Sequence, residues 1–213
     1  MGINLGVGEW IVICLSAALG VWFLAGIAVN RKLGPSACAW LAAELRGSSS
    51  GLHWLDLATA AASVKPEGPG LPFRRLEAIL ALERRENFPL WLFQHLAGRR
   101  DSLLIRAALD RPPGFELHLV PRQEYALLGE LKQRESLSLR EEFQGFKLFC
   151  SAEPAETAVA AVKAFVERFP GSLLRVSLQQ KAPQLIIHFE LAPLQATPKD
   201  ALLEAIRELV QSL

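Results

Sequence analysis

Four histidines, three cysteines and a scatter of carboxylates are the side chains in this sequence with chemistry to offer. His118 and His188 stand in the outward slots of two alternating stretches, His95 lies in an aromatic run, and His53 sits beside Trp54. Asp101 with His95, or Glu190 with His188, would make an acid–base couple, because a positioned imidazole and carboxylate can pass a proton near neutral pH. No spacing demands either pair, and a histidine satisfied in the core or solvated at the surface fits each position. Cys14, Cys38 and Cys150 are isolated, with no metal-like or redox-like spacing, and read as small apolar residues in a reducing compartment. The sequence has no Gly-x-Gly-x-x-Gly after a strand, no phosphate-cradling Gly-x-x-x-x-Gly-Lys loop, no His-Glu-x-x-His and no Gly-x-Ser-x-Gly elbow. The expectation is a protein that is not an enzyme, with no catalytic residue, no cofactor and no metal.

Two stretches are less ordinary. Asn87-Phe-Pro-Leu-Trp-Leu-Phe-Gln-His-Leu96 reads as a short helix that is apolar on nearly every side. A helix buried between layers satisfies that pattern, and so does one leaning on a membrane surface or on another membrane protein. An arginine set runs nearby: Arg74, Arg75, Arg84, Arg85, Arg99, Arg100, Arg106, Arg111 and Arg122, interleaved with Glu77, Glu83, Glu86, Asp101 and Asp110. Solvated ion pairs of small worth account for most such sets. On a domain held against a bilayer, the same arginines could also touch anionic lipid head groups or RNA phosphates. The residues picked out for partner or membrane contact are therefore Phe88, Trp91, Leu92 and Phe93, with Arg84, Arg85, Arg99, Arg100 and Trp40.

What must position these residues begins with an anchor. From Trp10 to Val29 the chain carries no charge, and twenty helical residues span about 30 Å, the thickness of a bilayer's hydrocarbon. Glu9 precedes this run and no basic residue does, which argues against a cleaved signal peptide. Arg31 and Lys32 follow it directly, so the positive-inside rule puts the N-terminus outside and the remainder in the cytoplasm. Ser16 and Gly20 form a small-xxx-small pair of the kind that permits close helix contact.

The remainder reads as an α+β domain. Net charge is only +1 over 213 residues, too balanced for bulk attraction to nucleic acid. Residues 33–46 suggest a short juxtamembrane helix with Pro35 near its start, 47–51 a flexible Gly/Ser joint, 52–64 either strand or helix, and 65–72 a Pro/Gly loop. Two successive β-α-β-β-α units follow. In the first, Leu76–Leu82, a helix from Phe88 capped by Asn87, Leu103–Leu109, Phe115–Leu119 and a helix with Tyr125, Leu128 and Leu131 succeed one another. In the second the order is Phe146–Cys150, a helix opened by Glu153-Pro154, Leu174–Leu178, Leu185–Leu191 and a helix led by Thr197-Pro-Lys-Asp200. The predicted organisation is 1–32 tail and transmembrane helix, 33–72 juxtamembrane helix and linker, 73–140 first unit and 141–213 second unit. Antiparallel sheet with helices on one face is the simplest packing, as two sister lobes or as one merged sheet.

The ordered segments also resemble a known family. Asn30-Arg-Lys-Leu33 leading to Ala39-Trp40-Leu41 is similar to the basic anchor exit and Ala-Trp helix of calumin, the coiled-coil-domain-containing subunit of the PAT complex in the multipass translocon of the endoplasmic reticulum. Leu80-Ala-Leu-Glu-Arg-Arg-Glu-Asn87, Arg99-Arg-Asp-Ser-Leu-Leu-Ile105 and Phe115-Glu-Leu-His-Leu-Val-Pro-Arg122 resemble successive strands of that family's cytosolic domain. So do Phe146-Lys-Leu-Phe-Cys-Ser-Ala-Glu153 and Pro183-Gln-Leu-Ile-Ile-His-Phe-Glu-Leu-Ala-Pro193, with Asp200-Ala-Leu-Leu203 opening the final helix. The likeness covers roughly residues 30–213, without the family's acidic luminal domain or its long basic coiled coil. It implies a non-enzymatic accessory factor of membrane-protein biogenesis that associates with the protein-conducting channel, and with the ribosome, at the cytoplasmic face. A structural subunit of another membrane complex is the second expectation, and a membrane-tethered sensor or enzyme with a polar pocket near His95 or His188 the third.

Overall fold

The computed structural model describes residues 6–44, 49–54, 59–64, 73–151, 156–198 and 201–213. Its first element, α1 (Val7–Glu44), is a single helix of 38 residues, about 57 Å long at 1.5 Å per residue. Among the described residues α1 is the one helix long and apolar enough to cross a membrane, and almost none of its apolar stretch is covered by protein. The separate juxtamembrane helix expected at 33–46 is instead the C-terminal third of α1, with Pro35 inside the helix. Proline removes one hydrogen bond there. Continuity is held by a stripe that packs on the domain before and after it: Gly26, Asn30 and Gly34, then Ala37, Leu41 and Glu44.

The stretch left open between strand and helix is two strands, β1 (Ser49–Trp54) and β2 (Thr59–Val64). Part of the expected Gly/Ser joint therefore belongs to β1, while Gly47, Ser48 and the Pro/Gly loop at 65–72 lie outside the described residues. The chain then continues through β3 (Phe73–Ala81), α2 (Phe88–Leu96), β4 (Ser102–Leu109), β5 (Leu117–Pro121) and α3 (Tyr125–Gln133). Next come β6 (Ser138–Phe143), β7 (Phe146–Cys150), α4 (Glu156–Arg168), β8 (Leu173–Leu178) and β9 (Leu185–Glu190). A short α5 (Leu191–Gln195) and α6 (Ala201–Gln211) complete the order. Strand β6 and helix α5 had no counterpart in the sequence reading, and the expected opening of α4 by Glu153-Pro154 lies outside the described residues.

The nine strands make one antiparallel sheet in the order β1-β2-β3-β4-β9-β8-β5-β7-β6. Two sister lobes are excluded by this order, because β9 and β8 insert between β4 and β5. One face carries the main core. Leu76, Ala78 and Leu80 of β3, Leu103, Ile105 and Ala107 of β4, and Leu185, Ile187 and Phe189 of β9 meet Val162, Phe165 and Val166 of α4, Leu202, Ile206 and Leu209 of α6, and Ala37 and Leu41 of α1. The strict alternation of each strand is what aims these residues at a single layer. Not every helix joins that layer, however. Val120 and Phe149 point to the opposite face, and α3 covers them with Leu128 and Leu131, so the expectation of helices on one face fails for α3.

Candidate membrane-facing site

The picked residues Phe88, Trp91, Leu92 and Phe93 all lie on α2. Its start is built locally: the Asn87 side chain accepts a hydrogen bond from the Leu90 amide at 3.1 Å, and Pro89 occupies the first turn where no amide partner is needed. Gly98, at φ +81°, turns the chain out of the helix. None of the nine residues of α2 is buried. Phe93 and Leu96 are 74% and 78% exposed, and Leu90 and Leu92 also face outward. A helix buried between layers is thus ruled out, for an uncovered apolar surface is what α2 presents.

The inner side of α2 rests on α1. The Trp22 ring meets Phe88 edge-on at 4.9 Å between centroids and Trp91 at 5.0 Å. Trp22 Nε1 donates to the Arg85 carbonyl at 2.7 Å, and Asn30 Nδ2 donates to the Glu83 carbonyl at 3.0 Å. Between them is Gly26, where a Cβ would fall 2.4 Å from the Arg85 carbonyl carbon and oxygen. A side chain of any size at position 26 would push the two backbones apart. Trp22, Gly26 and Asn30 are four residues apart and share one helix face.

Behind this contact is a compact charge network at the start and end of the α2 excursion. Arg85 grips Asp101 with two nitrogens, at 3.1 and 2.8 Å, and also reaches Glu83 at 3.1 Å and Asn30 Oδ1 at 3.1 Å. Asp101 Oδ1 accepts from the Glu83 amide at 2.7 Å. The Glu83 carboxylate, itself buried, is bonded by Trp91 Nε1 at 3.1 Å and by His95 Nδ1 at 3.0 Å. Arg100 donates to the His95 carbonyl at 2.9 Å and to the Arg99 carbonyl at 2.8 Å. Each buried charge has an opposite partner and hydrogen bonds, the condition under which such groups are tolerated away from water.

The structure therefore brings Arg85 and Arg100 into this network beside Phe88 and Trp91, and leaves Arg84 and Arg99 exposed at the two ends of the excursion. Trp40 lies apart, half-buried against the main core from α1. His95 and Asp101 belong to one network through Glu83 and Arg85, and no hydrogen bond joins them directly among the described residues. His188 stands opposite Leu104 and Arg175; burial, then the Arg175 charge, lowers its pKa. His118 is not solvated: it is 5% exposed, hydrogen-bonded through Nδ1 to Ser177 Oγ at 3.2 Å, with its pKa lowered to about 4 by burial and then by Arg134 and Arg175. Burial raises the Cys150 thiol. No group of three or more His, Cys, Asp or Glu side chains suited to a metal ion occurs among the described residues.

Sequence reasoning missed Trp22, Gly26, Asn30 and Glu83. The four-residue spacing of the first three was visible, but an all-apolar run hides any stripe within it. Asn30, the first polar residue after that run, was the one usable signal. No protein-family model and no curated protein matches this chain.

Proposed function

We propose that this chain is a single-pass membrane protein, its N-terminus outside and its domain cytoplasmic, that serves as a non-enzymatic accessory factor of membrane-protein insertion beside the protein-conducting channel. The observation that carries the reading is α2: a helix whose outer apolar side is uncovered, fastened along what is, among the described residues, the one helix long and apolar enough to span a bilayer. Such an arrangement offers an apolar surface at the membrane, where an emerging transmembrane segment or a channel subunit would meet it. The resemblance of residues 30–213 to the calumin family favours the channel and the ribosome as partners. Arg84 and Arg99, exposed at the ends of α2, suit contact with acidic surfaces.

The test is affinity purification of the full chain from detergent-solubilised native membranes at low salt. Channel and ribosomal subunits should co-purify, and their loss should accompany Phe93→Glu. Recovery of neither would end this reading. Consistent recovery of a different membrane complex would favour the second one, a structural subunit that uses the same surface elsewhere.

A further inference from the structure

The contacts along α1 record how deep α2 sits. Asn30 meets Glu83 and Glu86, Gly26 meets the backbone of Arg85 and Glu86, and Trp22 meets Arg85, Phe88 and Trp91. Moving from Asn30 back to Trp22 is eight residues toward the middle of the apolar run, about 12 Å at 1.5 Å per residue. The chain after β3 follows that descent: it leaves the Asn30 level at Glu83 and reaches the Trp22 level at Phe88. It then climbs back through α2 to His95, which is again bonded to Glu83. Basic side chains mark the level of departure and return: Arg31 and Lys32 on α1, and Arg99 just past α2, all exposed. Between those basic marks the outward residues of α2 are apolar.

On the reading that α1 crosses a bilayer, we propose that α2 is embedded in the acyl region of the cytoplasmic leaflet. Its Phe93 and Leu96 contact lipid chains, and Arg31, Lys32 and Arg99 lie at the level of anionic lipid phosphates. Three observations select the bilayer as occupant. The Trp22 contacts fix α2 below the basic level, the exposed face carries Leu90, Leu92, Phe93 and Leu96, and the polar ring atoms of α2, Trp91 Nε1 and His95 Nδ1, turn inward to Glu83. An apolar face at that depth is satisfied by lipid at no cost, whereas in water it would be a liability. The excursion is thus a dip into one leaflet that starts and ends at the surface.

The experiment uses the wild-type chain in vesicles of phosphatidylcholine and phosphatidylglycerol, with a photoactivatable diazirine at the acyl-chain end of either lipid. Mass spectrometry then locates the adducts. Adducts are expected in residues 10–21 of α1 and in 88–96 of α2, and absent from the β6 segment, although Leu139 there is also an exposed apolar residue. Labelling of α1 without α2 would overturn the proposal and leave α2 as a protein-docking helix facing water. Labelling of neither would overturn the anchor reading itself, so the two failures are distinguishable. The α2 adducts should also form several-fold more often from the phosphatidylglycerol probe than from the phosphatidylcholine probe, a preference that Arg99→Gln reduces. Equal yields from the two probes in the wild type would remove the head-group part of the proposal.

Discussion

Replacing Gly26 by alanine should loosen α1 from the corner that leads into α2 while Ala37 and Leu41 stay in the core. The added Cβ would stand 2.4 Å from the Arg85 carbonyl group and 2.6 Å from the Glu86 nitrogen, both of them backbone. Carbon atoms pack comfortably at about 3.5 Å, so the helix must retreat by about 1 Å. That retreat stretches the bond from Trp22 to the Arg85 carbonyl, now 2.7 Å, and the bond from Asn30 to the Glu83 carbonyl, now 3.0 Å, past useful range. Two hydrogen bonds contribute about 1 kcal/mol each, and overpacking costs about 1–3 kcal/mol. The better helix propensity of alanine returns about 1 kcal/mol, leaving a net loss of about 2–4 kcal/mol. Hydrogen exchange in vesicles measures it, because local opening of the corner exposes the turn amides at the two ends of the α2 excursion, those of residues 83–87 and 97–99. Their exchange should rise about 30- to 700-fold, at 1.4 kcal/mol per factor of ten, while the strands β8 and β9 keep their protection. Gly20, which has nothing within 4 Å of a built Cβ, supplies the control: Gly20→Ala should leave exchange at the corner unchanged. Equal behaviour of the two variants would refute the fastening role of the Trp22–Gly26–Asn30 face.

Two further outcomes follow from the Arg85–Asp101 pair and from the buried His118. Asp101→Asn keeps an oxygen for the Glu83 amide but removes the charge that Arg85 grips, both side chains being about four-fifths covered. Thermal unfolding in detergent should show a loss of about 2–3 kcal/mol, against about 0.5 kcal/mol or less for Arg74→Ala at the exposed Arg74–Asp110 pair. His118 is neutral in the fold down to about pH 4 but titrates near 6.5 in the unfolded chain. The unfolded state therefore binds the extra proton first, so this stabilising contribution is complete above pH 6.5 and is lost as the pH falls to 4, by up to about 3 kcal/mol. Urea midpoints should decline more steeply over that window in the wild type than in His118→Gln, and parallel declines would exclude the histidine as the cause.

What could be read from the sequence was local. The Asn87 cap, Pro89 in the first turn and Gly98 at the exit are decided within a few residues, and α2 forms where they predict it. Strands with clean alternation, such as Leu103 to Leu109 and Leu185 to Phe189, were likewise legible because each buries one face. Strand β6 was not: Ser138-Leu-Arg-Glu-Glu-Phe143 is an exposed edge with too few apolar residues to show a period. Sheet order was illegible for another reason. Placing β9 and β8 between β4 and β5 depends on pairings such as Ile105 with Ile187, over eighty residues apart, to which no local pattern points. His118 illustrates the same limit. Its outward slot was correct for the main core, yet the second face is closed there by α3, a tertiary event.

On the reading that α1 crosses a bilayer, its continuity into the domain changes what kind of anchor it is. A domain behind a Gly/Ser joint gains only local concentration from its anchor and samples every orientation. Here the face from Trp22 through Gly26, Asn30, Gly34, Ala37 and Leu41 to Glu44 packs along the folded domain, about 33 Å of helix that cannot swing. Any tilt of α1 must carry α2 and the sheet with it. On the same reading, a partner in that membrane would meet Phe93 and Leu96 in one fixed orientation and lose less rotational freedom on binding than it would to a tethered domain. The close approach at Gly26 fastens that face directly and the Arg85–Asp101 grip braces the loop it meets, so each can be tested by a change of one or a few atoms.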